Sequence, residues 1–269
     1  MIVQLWQYRR HILQNALNDL RHRYRGSLAG GMWNVFIPLA QIIVFSTIFS
    51  VLMEFRMPEM PGISSRFQFV VFLCSGLLAW NSFADTLMRG VASLVGNAGY
   101  LKKLPVPEQI FVAQDACSGL YSAFIAYAVF LVFCVAVAGV RVSWYWAQVV
   151  PLLILFIGFA FGLGLFLSCI NVFFRDVQPL MNVMLLLWFW VTPIVYSETI
   201  FEGRSHEWIL LLLPLNPAYP FIRAFHEAVY LRTAVPPGLW FMCTALPVVT
   251  IAAAYCVLER LRSDIRDAL

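Results

Sequence analysis

The chain has 269 residues, of which 61% are hydrophobic and 12% charged, and a formal net charge of +4. A soluble domain carries about 25% charged residues, so a water-soluble globular fold is excluded. Six long apolar runs without Asp, Glu, Lys or Arg follow one another: Gly26–Met53, Phe67–Ala84, Ala116–Val140, Val142–Phe174, Leu180–Ser197 and Trp240–Leu258. Each is long enough to cross a hydrocarbon core of roughly 30 Å, which takes about 20 helical residues.

In chain order, Met1–Tyr8 is too short an apolar stretch for a cleavable signal peptide, and arginines follow it. Leu13, Leu17, Leu20 and Tyr24 then recur at helical spacing, while Arg10, Gln14, Asn18, Arg21 and Arg25 take another face. This pattern predicts an amphipathic helix lying in the membrane interface. It is read either as an anchor that orients the first span or as a cytoplasmic collar that guides an anionic lipid headgroup.

The spans lack the alternation of barrel strands and are predicted to be α-helices, whose backbone groups are satisfied within the segment. Between the last two, Trp208–Ile222 is apolar but short and carries Pro214, Pro217 and Pro220. Proline removes a backbone donor, so this stretch is expected as an outer re-entrant helical segment. The expected fold is an all-α integral membrane protein of one domain: Met1–Arg25 as interfacial helix, Gly26–Leu258 as a six-span bundle, and Glu259–Leu269 as a tail.

With both ends on one side, that side holds 12 of the 18 Lys and Arg residues and the other side 6. By the positive-inside bias both termini are expected in the cytoplasm. The net charge then belongs to that rim and implies no nucleic acid. The six cysteines lie within apolar runs and read as small packing residues.

No phosphate loop of the G-x-x-x-x-G-K-[ST] kind is present, and the four histidines are scattered, suggesting no metal centre. Asp85 and Arg89 are one helical turn apart, a spacing that favours a structural ion pair over a functional carboxylate. Almost no ionisable group lies deep in a span, which argues against ion-coupled transport. A pore or carrier that takes its energy from another protein fits this pattern. The aromatics Trp80, Phe83, Tyr121, Trp188, Trp190, Tyr196 and Tyr219 have two readings: interfacial belt residues, or flat rings lining a passage for a sugar polymer.

Four segments carry a family resemblance. Asp19–Pro38 (DLRHRYRGSLAGGMWNVFIP) resembles the opening of the permease subunits of type 2 ABC exporters for polysaccharides, with Arg23, Tyr24, Ser27, Leu28, Trp33 and Pro38 in place. Gly26 is added, and Ala29 stands where glycine is common. Asn97–Phe111 (NAGYLKKLPVPEQIF) is similar to that family's coupling segment, Asn171–Pro179 (NVFFRDVQP) to its loop after the fourth span, and Leu213–Arg223 (LPLNPAYPFIR) to its outer L-N-P stretch.

The resemblance implies a transport subunit and no enzyme. Two copies would form a channel, driven by two separate ATP-binding subunits that hold ATP and Mg. Asn97, Lys102, Lys103, Pro105, Pro107, Glu108, Arg175 and Asp176 would couple the chain to the ATPase. Arg9, Arg10, Arg21, Arg23, Tyr24 and Arg25 would receive a lipid headgroup. The implied cargo is a lipid-linked polysaccharide crossing the bacterial inner membrane, with periplasmic and outer-membrane export proteins as further partners. The tail Leu258–Leu269 looks most like capsule-exporting members. The alternatives are an O-antigen or teichoic-acid exporter, a small-molecule ABC exporter, and, from another class, a membrane enzyme acting on a polyprenyl-linked sugar.

Overall fold

The computed structural model describes residues 2–23, 27, 29–49, 67–103, 106–198 and 212–269, and among these every regular element is helical. At the N-terminus α1 (Ile2–Gln7) and α2 (Arg9–His22) form the arm. A short 3-10 turn leads into α3 (Trp33–Thr47). Next come α4 (Gln68–Gly96), the short α5 (Ala98–Lys103), and α6 (Gln109–Ala136). They are followed by α7 (Val149–Phe173), α8 (Val177–Val191), α9 (Tyr219–Phe225, running on as a π-helical turn to Leu231), and α10 (Pro237–Ala268).

The centre of the bundle is α7, flanked by α4 on one side and α10 on the other. Helices in lipid gain little from burying apolar surface, so close approach at small residues decides such contacts. At the α4–α7 crossing, a Cβ added to Gly90 would lie 3.1 Å from the Gly164 Cα. At the α7–α10 crossing, a Cβ on Gly162 would lie 2.5 Å from Thr250 Oγ1. Both contacts bring backbones together.

Among the described residues, five helical segments are long and apolar enough to cross a membrane: Gly30–Thr47, Gln68–Gly96, Gln109–Ala136, Trp144–Phe173 and Pro237–Ala268. The expected fifth span, Leu180–Ser197, is different. Its helix α8 has 15 residues, about 22 Å at 1.5 Å per residue. It stops because Pro193 follows Thr192, and the residue before a proline is pushed to extended backbone, as the ψ of 133° at Thr192 shows. Thr192, Pro193 and Ile194 are buried in protein, where non-helical backbone at membrane depth is tolerated.

The stretch Glu259–Leu269, expected as the tail, is the last part of α10, which runs unbroken to Ala268. The uncharged run that ends at Ala84 lies within α4, which continues to Gly96 and carries Asp85 and Arg89 on one helix as their spacing implies. Of the proline-rich stretch Trp208–Ile222, residues 208–211 lie outside the described residues; the rest holds a 3-10 turn at Leu213–Leu215 and the start of the short helix α9, with Pro220 in its first turn, where a missing N–H costs nothing. Pro220, Phe221, Ile222, Ala224 and Phe225 are buried among the other helices.

An aromatic stack fixes α9 to the bundle. Phe156 of α7 lies face to face with Phe83 of α4 at 4.4 Å between ring centres and with Phe221 of α9 at 4.6 Å. Trp188 of α8 meets Phe83 edge-on at 5.6 Å. Four helices therefore share one run of rings, with the offset and edge contacts that aromatic quadrupoles favour.

Candidate functional site

Two ends of the bundle carry the polar features. One end gathers α1 and α2, the last turns of α4, α5, the start of α6, the α7–α8 turn and the end of α10. A single buried apolar cluster joins Ile12, Leu94, Leu101, Ile110, Val172, Leu258 and Ile265 there. This is the arginine-rich end of the positive-inside reading.

Above that cluster, α2 is held to the spans by a charge network. Asp19 accepts from Ser118 Oγ of α6 at 2.6 Å, from Arg89 of α4 at 3.3 Å and from Arg23 at 3.4 Å. Arg23 also lies 3.6 Å from Asp85, and Arg89 lies 3.2 Å from the same carboxylate. The expected Asp85–Arg89 ion pair is present, as part of a larger assembly that includes the interfacial arm. The Arg23 and Arg89 side chains are partly buried, at 24% and 22% exposed, and so are shielded from full solvent screening, whereas Asp85 is exposed.

The proposed headgroup residues separate in this setting. Arg23 is committed to the network just described. Arg9 stacks over the Trp6 ring at 4.3 Å and donates to the Trp6 carbonyl at 2.7 Å. Arg10 is exposed and lines a cavity of about 580 Å³ between the arm and the α5–α6 region, together with Tyr8, His11, Asn97, Tyr100 and Phe111. Arg21 lies within α2 with its side chain outside the described residues, and Tyr24 and Arg25 also lie outside them.

The proposed coupling residues separate too. Lys102 and Lys103 are exposed on the last turn of α5, where cations complement the helix dipole. Arg175 and Asp176 are exposed in the α7–α8 turn at the same end. Asn97 ends α4, its Nδ2 donating to the Ser93 carbonyl at 2.8 Å. Pro107 is half-buried, and Pro105 lies outside the described residues. Glu108 offers no surface at all. It is 0% exposed, with Arg266 Nε at 2.7 Å and Arg262 Nε at 3.2 Å on its two oxygens.

At the opposite end, Asn216 organises the junction of α8 and α9. Its Oδ1 accepts from Trp188 Nε1 at 2.6 Å and from the Ala218 amide at 3.0 Å, and its Nδ2 donates to Thr192 Oγ1 at 2.8 Å. Arg223 donates to Glu198 at 2.7 Å and to the Tyr219 hydroxyl at 2.6 Å. Burial raises the Tyr219 pKa, and the hydrogen bond from Arg223 works against the rise. The phenol is therefore neutral and acts as an acceptor here. Tyr196 turns back on α8, donating to the Val191 carbonyl at 3.2 Å.

Among the aromatics, Trp80 and Phe83 are 4% and 0% exposed and belong to the core stack. Tyr219 is buried, and Tyr121, Trp188 and Tyr196 are half-buried. Trp190 stands on the outer face of α8, 60% exposed.

A family model described as ABC-2 type transporter matches residues 10–230. The chain belongs to the ABC-2 type transporter family. This transporter is similar, at 26% identity over 270 residues, to the O-antigen export system permease protein RfbA of Myxococcus xanthus, covering 100% of this chain and 99% of that one. It is 29% identical over 199 residues to an RfbA of Klebsiella pneumoniae, covering 73% and 72%. The polysialic acid transport protein KpsM of Escherichia coli is 24% identical over 215 residues, covering 79% and 78%.

Sequence reasoning missed several members of the transporter's polar sites: Asp19, Ser118, Arg262, Arg266 and Asn216. The Arg262–Arg266 spacing of one helical turn was a usable sign, since it places two cations on one helix face. Nothing local marked Ser118 or Asn216, whose partners come from other elements.

Proposed function

We propose that the chain is the membrane-spanning half of an ATP-driven exporter that moves a lipid-linked polysaccharide out of the cytoplasm. Two copies form the passage in the bacterial inner membrane, both termini cytoplasmic, and each docks a separate ATP-binding subunit. The observation that carries this reading is the end-to-end match to an O-antigen export permease, which spans the arm, the bundle and the last helix together.

The polymer is of the O-antigen kind. The capsule-like appearance of Leu258–Leu269 weighs less, because the match to the polysialic acid transport protein covers 79% of the chain, against 100% for the Myxococcus O-antigen permease. Lys102 and Lys103, with Arg175 and Asp176, form the docking face for the ATPase. All are exposed at the end where the arm and α10 also converge. Arg10, at the mouth of the large cavity, is the arginine best placed to meet an anionic headgroup. Trp190 supplies the exposed ring for the polymer's path.

The test is affinity purification of the tagged chain from native membranes, followed by mass spectrometry. A near-stoichiometric subunit bearing a phosphate loop is expected, together with loss of surface polysaccharide when Arg10 is changed to Glu. A chain that purifies without any ATP-binding subunit would overturn the exporter reading.

A further inference from the structure

At the arginine-rich end, one carboxylate is wholly enclosed. Glu108 sits immediately before the first residue of α6, at the exit of the α5 segment. Both of its oxygens are occupied by α10, through the Arg266 and Arg262 contacts already described, across 158 and 154 residues of chain. Glu259 holds Arg262 from the other side at 3.1 Å. The neighbouring Gln109 donates to Gln4 of α1 at 2.5 Å. A cleft of about 450 Å³, lined by Gln4, Pro107, Glu108 and the α10 residues Glu259, Arg262 and Arg266, opens beside this junction.

Attachment alone does not require these charges. Leu258 and Ile265 of α10 are fully buried in the apolar cluster that also contains Ile110 and Leu101, and α10 packs along α7, so apolar contacts already hold it in the bundle. Enclosing a carboxylate is costly unless it is paired with good geometry, and apolar residues of similar volume usually pack at least as well. What the pair of arginines adds is direction. Two bonds from successive turns of one helix fix where Glu108 sits along α10 and resist sliding, which a greasy contact permits.

We infer that Glu108 is a positioning residue for energy coupling: it clamps the segment that an ATPase pushes to α10, so that the stroke reaches α10 together with α6. The inference rests on the exporter reading. From α10 the movement passes to α7 through the close crossing at Gly162. The exposed lysines of α5 receive the push, and the enclosed Glu108 directs it. On this view the last helix is a moving part of the transporter.

The experiment compares the wild-type complex with Glu108→Gln, Glu108→Asp and Arg266→Gln. It records co-purified ATPase, melting temperature, ATP hydrolysis and surface polysaccharide. Glu108→Gln and Arg266→Gln are expected to lower polysaccharide exported per ATP hydrolysed about fivefold or more, the lower end of ordinary coupling between sites. Glu108→Asp, which keeps the charge, is expected to recover most of it. A purely structural role would lower export and hydrolysis together and leave their ratio unchanged; that result overturns the clamp, as does a wild-type ratio in both neutral variants. Arg266 is 44% exposed as a side chain, so its variant stays informative if Glu108→Gln fails to fold. Failure of the exporter reading is seen in the wild type alone, as absence of any ATP-binding subunit.

Discussion

The Asp19 carboxylate and the Arg89 guanidinium, 70 residues apart in the chain, meet at 3.3 Å and fasten the interfacial arm to the second spanning helix. The arm is thereby part of the folded bundle, with its angle set by α4 and α6. An amphipathic helix held only by lipid would be free to rotate about its axis. Here Ile12, Ala16 and Leu20 are buried on one face, and the charges beside them fix the register.

Replacing Asp19 by Asn should therefore loosen the arm selectively. It leaves Ser118, Arg23 and Arg89 without their shared anion. Hydrogen bonds to charged groups contribute about 1.5–3 kcal/mol when well formed, and the partial exposure of Asp19 puts the loss at the low end of that range. Hydrogen exchange should rise across Arg9–His22 while α7 and α10 keep their protection. Unaltered exchange in α2 would mean that apolar contacts alone hold the arm.

Close crossing at Gly90 and Gly164 leaves no room for a side chain. Gly90→Val should force α4 and α7 apart, at a cost of about 1–3 kcal/mol for overpacking a well-filled site. The melting temperature of the purified protein should drop clearly. Gly96→Ala is the control, since no atom lies within 4 Å of the position its Cβ would take.

At the other end, Asn216→Ala removes three hydrogen bonds at once and strands the Trp188 indole N–H inside protein. A buried donor left without a partner costs about 1–3 kcal/mol. The expected outcome is a lower melting temperature with a shifted Trp fluorescence maximum, as water reaches Trp188. Asn216→Asp keeps the two acceptor contacts, loses only the donation to Thr192, and should fall between.

Hydropathy located most of the spans because α4, α6, α7 and α10 each contain a long uncharged run, and backbone polar groups in lipid leave few alternatives to helix. An uncharged run is shorter than the helix that contains it: Asp85 and Arg89 find partners on the arm, and Arg262 and Arg266 find Glu108, so α4 and α10 continue through these charges. The early end of α8 lies just before Pro193, which a count of uncharged residues over Leu180–Ser197 does not register. The site was less legible still, because the direction a side chain faces depends on neighbours that are distant in sequence. Glu108 beside two prolines reads as a coupling residue in the sequence, and only the return of α10 encloses it.

The same limit applies to the aromatics, and it supplies a discriminating pair of substitutions. Trp80 and Trp190 read alike in the sequence, as large rings in apolar runs. In the fold Trp80 is buried against Phe83 and Trp188, with ring centres 5.7 and 5.6 Å away, whereas Trp190 faces outward. Trp80→Ala should cost about 3–5 kcal/mol, as for other large aromatic truncations in a packed core, and should reduce the amount of folded protein in the membrane. Trp190→Ala should change stability by no more than about 0.5 kcal/mol, the usual range for exposed positions. If Trp190 contacts the passing polymer, its variant will assemble normally yet put less polysaccharide on the cell surface per folded complex. Equal export per complex for wild type and Trp190→Ala would remove Trp190 from the polymer's path and leave it as a lipid-facing ring.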